Sequence, residues 1–242
     1  MATGKTHARF WRLIADGVDL SGDTRAIGSF GKTYEVHPVE GWSSGVKHFQ
    51  LGRPEHFLNG YQAVFNNTAA TGSYTELSAQ EEYIISLIMG IRAAPIVGDP
   101  CFISTMEQTQ FKIDGTDAVL INAEFVKSIT DSDHEDCWGV CLAPGTSLSS
   151  TTNGTSVNNG ASSSNGALAH LHVTATSSGS WTLKIQDSAN DADWADLITF
   201  ASDGSTVTAE AKDVTGTVDQ YVRFQATRSA GTTSFWVTFS RQ

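Results

Sequence analysis

The stretch APGTSLSSTTNGTSVNNGASSSNG, Ala143 to Gly166, decides how the chain divides. Small polar residues and glycine replace any periodic apolar pattern across it, so it cannot bury a core and reads as a flexible linker. Each side carries its own Val, Ile, Phe and Trp, enough for an independent fold. The expected organisation is a β domain over 1–145, a linker over 146–166 and a second β domain over 167–242.

Composition supports an all-β chain. Of 242 residues 40% are apolar, and abundant Gly, Ser and Thr with only 5 Pro favour many short strands and turns. The net charge of −11 disfavours adhesion to nucleic acid. Both halves are acidic, at −8 through Leu148 (10 Lys/Arg, 18 Asp/Glu) and −3 beyond it (5 and 8), so no basic domain hides behind an acidic one. Three cysteines, all in the first half, argue against a disulfide framework and for a reducing compartment. The N-terminal MATGKTHARFWRLIADG lacks the apolar centre of a signal peptide, and no run is long enough to span a bilayer. The expectation is a soluble protein made in a cytoplasm.

In the first half, Met1 to Ala8 reads as a loose polar arm and Phe10 to Ile14 as a first strand, followed by an Asp16-Gly17 turn. Further strands are expected over 33–39, 46–51, 61–65, 101–107, 110–113, 118–126 and 137–142. Ser78 and Glu81 form a capping box, and Ile84, Leu87, Ile88 and Ile91 repeat at i, i+3, i+4 and i+7, which predicts one inserted helix near 78–90 ending at Gly90. About eight strands and a helix fit a sandwich or partly closed barrel. In the second half six alternating strands at about ten-residue spacing fit a small jelly roll or immunoglobulin-like sandwich.

The order of VDLSGDTRAIGSF, then KHFQLGRPEHFLNGYQAVFNN, then a helix, a closing hairpin and a small β domain resembles the major tail tube proteins of long-tailed bacteriophages. Gly17 to Gly22 resembles the family's "DLS" opening, and Leu58 to Ala63 its later "L-x-G" strand. The resemblance implies a structural virion protein, assembled in a bacterial cytoplasm. Its subunits would form hexameric rings stacked into a conduit for double-stranded DNA, with the second domain facing outward. Self-association would be the main contact, and the tape measure, tail terminator and distal tail proteins further partners, with no membrane. The polar arm and the glycine-rich loop Val18 to Gly31 are the segments expected to become ordered between subunits. The alternative is a capsid-surface decoration protein or carbohydrate-binding adhesion module, which would need Trp181, Trp194 and Trp236 exposed to stack on sugar.

Candidate chemistry is thin. Cys101, His134, Cys137 and Cys141 include an H-x-x-C-x-x-x-C run of zinc-ligand types at non-standard spacing, and buried or incidental cysteines are the favoured reading. Asp131, Asp133, Glu135 and Asp136 crowd around His134; they read as a solvated acidic loop, or under the resemblance as negative potential facing passing DNA. Asp187, Asn190, Asp191 and Asp193 mimic a calcium loop without its turn glycine and closing glutamate, and read as a hairpin loop whose Trp194 tucks into the sandwich. His170 and His172 share one side of a strand and read as exposed. No G-x-S-x-G, Walker loop, H-E-x-x-H or G-x-G-x-x-G occurs, so neither catalytic residue, cofactor nor metal is assigned.

Overall fold

The computed structural model describes residues 6–39, 41, 45–91, 93–115, 118–130, 135–177 and 179–242. Its architecture is all-β, with one short helix. A hairpin of β1 (Trp11–Ala15) and β2 (Val18–Asp19) turns through Asp16 and Gly17, both at positive φ, and a Cβ on Gly17 would stand 2.8 Å from the carbonyl oxygens of Val173 and Thr208. Only glycine lets the turn seat there. After a 3-10 turn over Leu20–Gly22 come β3 (Thr24–Ala26), β4 (Ser29–Pro38), β5 (Phe49–Val64), α1 (Ser73–Leu77), β6 (Glu82–Met89), β7 (Pro100–Gly115), β8 (Val119–Lys127) and β9 (Trp138–Leu148). Two expected pairs of strands are single long ones, β5 and β7. A register shift, between Leu58 and Tyr61 in β5 and between Gln108 and Gln110 in β7, bends each strand.

Strand β7 is the branch point of a twelve-stranded antiparallel sheet. One flank pairs with β6, which pairs in turn with β1. The other flank pairs with β8 along its second half and with β9 at its start. From β8 the sheet runs through β5 to β3 and β4; from β9 it runs into the second half of the chain.

That half adds β10 (Thr152–Asn153), β11 (Val157–Asn158), β12 (Ala167–Ser177), β13 (Trp181–Ser188), β14 (Ala195–Thr199), β15 (Thr208–Val214), β16 (Tyr221–Arg228) and β17 (Thr232–Arg241). β9 pairs with β17, then β12 and β15 follow, while β10, β11, β13, β14 and β16 make a separate five-stranded sheet. The two sheets close on one another through Leu171, Val173, Phe235, Val237 and Phe239 against Leu183, Ile185, Val222 and Phe224. Odd-numbered residues of β12 and β17 serve this sandwich. Even-numbered ones face the first half, where Leu168 and Trp236 pack with Ile14, Ile88, Cys101, Ile103 and Cys141. β12 and β17 are therefore covered on both faces. Each fully buried aliphatic or aromatic side chain there contributes about 1.5–3 kcal/mol.

Two sequence expectations are corrected. The helix near 78–90 is instead β6, with α1 ending before it. Gln80 adopts a left-handed φ of 55°, which breaks any helix started at Ser78. Tyr83, Ile85 and Leu87 enter one core, Ile88 enters another and Ser86 is buried with it, so the run is apolar on both faces; such a run mimics helical periodicity. The supposed linker 146–166 is bound to the second half. β9 extends into it, β10 and β11 both pair with β16, and Arg241 donates to the Ala161 carbonyl at 2.7 Å. Backbone hydrogen bonds hold it, helped by Leu148 and Val157, which pack against the core.

Candidate assembly interface

Ser29–Pro38 and Phe49–Val64 form a long ribbon whose base and tip differ in kind. The base is anchored. Phe30 lies edge-on to Trp11 at 5.7 Å and to Phe102 at 5.6 Å and tilts over Trp138 at 5.9 Å; Lys32 pairs with Asp136 at 3.3 Å. His56, buried, shares a 3.0 Å hydrogen bond with Ser104 Oγ and donates from Nε2 to the Glu135 carbonyl at 3.2 Å; its pKa is lowered by burial.

Beyond this base, Thr33–Pro38 and Phe49–Glu55 pair only with each other among the described residues. Val36 stands opposite Leu51 and Pro38 opposite Phe49, so these four share one face. Val36, Phe49 and Leu51 are 52%, 58% and 60% exposed. The other face carries His37 and Gln50. A two-stranded ribbon with one apolar side in water is marginal alone and gains from a partner.

The glycine-rich loop Val18 to Gly31, expected to need a neighbouring subunit, folds on internal contacts. Val18 and Leu20 are buried, and Asp23 accepts from Asn66 Nδ2 and from the Ser73 amide, both at 3.0 Å through Oδ2. Met1 to Lys5 of the polar arm lie outside the described residues, while Thr6 donates to the Gly90 carbonyl and accepts from Trp11 Nε1 at 3.0 Å.

The remaining predicted candidates scatter. Cys101, Cys137 and Cys141 are buried free thiols, and burial pushes Cys137 and Cys141 up to about 12. Asp131, Asp133 and His134 lie outside the described residues, while Glu135 is exposed and Asp136 is held by Lys32. Among the described residues, no three His, Cys, Asp or Glu are placed to hold a metal. The Asp187 to Asp193 segment closes on itself: Asn190 Oδ1 accepts from the Ala192 and Asp193 amides, and Asp187 Oδ2 accepts from the Asp219 amide at 2.9 Å. Trp194 does not enter the core; the Arg223 guanidinium covers its ring at 4.1 Å. Trp181 and Trp236 are buried, so neither offers a face to sugar.

The expectation of exposed histidines at 170 and 172 is also corrected. Both are fully buried between the two halves. His170 Nδ1 donates to the Ile85 carbonyl at 3.2 Å, His172 Nε2 meets Ser86 Oγ at 2.9 Å, and that hydroxyl meets Thr238 Oγ1 at 2.9 Å. The second nitrogen of each ring has no partner among the described residues. Burial lowers His170 to about 4 and His172 well below its usual value, with repulsion from His170 adding to the latter. The sequence shows the two histidines on one side of a strand; only the packing shows that the side faces inward.

A carboxylate cluster escaped the sequence reading because Asp16 lies far in the chain from Glu76, Glu81 and Glu82. Burial raises Asp16 to about 6, although its Oδ1 accepts from the Ile84 amide at 2.8 Å; repulsion from Glu81 and Glu82 adds to the rise. Burial, with repulsion from Asp16 and Glu81, raises Glu76 to about 7.

No helix among the described residues is long and apolar enough to cross a membrane. No protein family and no curated protein matches the chain. Among solved structures, the chain is similar to the phage SPP1 Dit (gp 19.1) protein, described as a paradigm of the hub adsorption apparatus in phages infecting Gram-positive hosts. That likeness spans 96% of this chain and 99% of that one, at 10% identity and a TM-score of 0.30. So loose a superposition carries no assignment, and the chain's own features have to supply the function.

Proposed function

We propose that this is a structural protein of a bacteriophage tail, and more finely a major tail tube subunit that builds a conduit from copies of itself. The observation that carries the reading is the ribbon: an anchored base, and an apolar face over Val36, Pro38, Phe49 and Leu51 that no part of the described chain covers. The resemblance of Gly17 to Gly22 and Leu58 to Ala63 to the tail tube family supplies the class. The occupant is a second copy, since a tube is made by repeating one contact. A head-to-tail contact closes a ring, and a different surface stacks the rings. The net charge of −11 suits a conduit, because an acidic wall gives passing phosphates nothing to bind.

Electron microscopy and sedimentation velocity of the full chain test this. Wild-type protein is expected to form rings or tubes as concentration rises. Phe49→Asp with Leu51→Asp should remain monomeric while unfolding at the wild-type temperature, because both side chains are already in water. Tubes formed equally well by this variant would remove the ribbon from the mechanism. Wild-type protein that stays monomeric at all ionic strengths would end the reading.

A further inference from the structure

Three of the chain's eight arginines, Arg9, Arg12 and Arg25, line one cavity of about 320 Å3 beside the first hairpin. Its apolar lining includes Leu13, Ile27 and Leu87, of which Leu13 and Leu87 belong to the core of the first half. Among the described residues, none of the three guanidinium groups has a carboxylate within ion-pairing distance, in a chain with 26 acidic and 15 basic residues. Uncompensated arginines gathered around an apolar pocket, against so large an excess of acid, point to an anion that the chain does not itself supply.

The pocket is built in advance. The 3-10 turn over Ala8–Phe10 is capped by His7 Nδ1, which accepts from the Arg9 amide at 3.2 Å; Thr6 ties the same wall to Gly90 and Trp11. Ser21 Oγ, also on the lining, accepts from the Leu13 amide at 2.9 Å. Arg12 Nη1 donates to the Trp11 carbonyl at 2.9 Å and Arg9 lies over the Phe10 ring at 4.5 Å. Guanidinium groups present planar, paired donors that match a carboxylate.

We infer that this pocket binds a carboxylate side chain, with its apolar neighbours, from a second copy of the chain. This rests on the self-assembly reading above and adds to it a second, polar contact distinct from the apolar ribbon. Charge complementarity selects the occupant. Every copy brings a surplus of carboxylates, and three arginines on one face are where a neighbour's acid meets attraction instead of repulsion. A nucleic-acid backbone is the poorer match, because a body carrying −11 repels it everywhere else.

The test uses the full chain with Arg9→Glu and Arg25→Glu together, both exposed, and Arg9→Lys with Arg25→Lys as the charge-keeping control. The reversed variant should unfold at the wild-type temperature and require about 10- to 100-fold more protein to assemble, and the lysine variant should fall between it and wild type. Wild-type assembly should weaken as salt rises. If the reversed variant assembles at the wild-type concentration, the pocket is not the contact, although self-assembly stands. If wild-type protein never assembles, the occupant and the tube are refuted together. If a labelled DNA duplex binds wild type and not the reversed variant in the same buffer, the pocket takes phosphate and the proposal falls.

Discussion

Lowering the pH from 7.5 to 5 should loosen the seam between the two halves, through His170 and His172. With an unfolded value of about 6.5, His170 must lose affinity for its proton on folding, because the charged ring would be buried against Ile85, Ser86 and Thr238 without water. The unfolded chain therefore takes up the proton first. The stability tied to this ring is complete above about pH 6.5 and declines as pH falls toward the folded value of about 4. For His170 the whole loss is roughly 3 kcal/mol, of which roughly 2 kcal/mol falls by pH 5, and His172 acts in the same direction. The assay is urea unfolding at pH 7.5, 6.5, 5.8 and 5, on wild type and on His170→Leu with His172→Leu. The double variant is less stable at neutral pH, having lost the bonds to Ile85 and Ser86, but its deficit should shrink by at least roughly 2 kcal/mol, the share of His170, on reaching pH 5. A deficit that stays constant across that range would refute the argument. So would Cε1 proton resonances assigned to His170 or His172 that titrate near 6.5 in the folded protein.

Two further outcomes follow from positions fixed elsewhere in the fold. Gly145 sits at φ +71°, and a Cβ there would come within 2.3 Å of the Trp236 ring, so Gly145→Ala should cost on the order of 2–4 kcal/mol by chemical denaturation. Asp16 and Glu76 carry the opposite pH sign to the histidines: their raised values mean the folded state holds protons that the unfolded chain releases, so this stability is complete below about pH 4 and is lost as pH rises toward about 6 for Asp16 and about 7 for Glu76. Glu76→Gln should raise the unfolding temperature at pH 8 and leave it little changed at pH 5; no difference between the two would show that the cluster is well solvated.

How much was legible depends on whether neighbours in sequence are neighbours in space. Phe235, Val237 and Phe239 point to one core by alternation, and six of the eight strands of the second half were legible, several of them by such alternation. The stretch 82–89 could not. It is buried on both sides, and period-2 alternation vanishes when neither face meets water. The ribbon's strands were visible near 33–39 and 46–51, but its free apolar face was not, because Val36 and Leu51 look in sequence like any core pair. The cluster of Asp16 with Glu76, and the pocket of Arg9, Arg12 and Arg25, depend on strand pairing that brings distant residues together.

The sequence by itself determined the all-β class, the acidic surface, the turn at Asp16-Gly17 and the alternating core of the second half, since each follows from local stereochemistry or from a sum over residues. Tertiary structure alone decided that β9 runs from one half into the other, that two histidines are sealed in the seam, and that the Ser-, Thr- and Asn-rich stretch is bound as edge strands. The physical reason is that backbone hydrogen bonds carry no residue code. Any extended segment can join a sheet edge, and only the assembled sheet shows which edge is open.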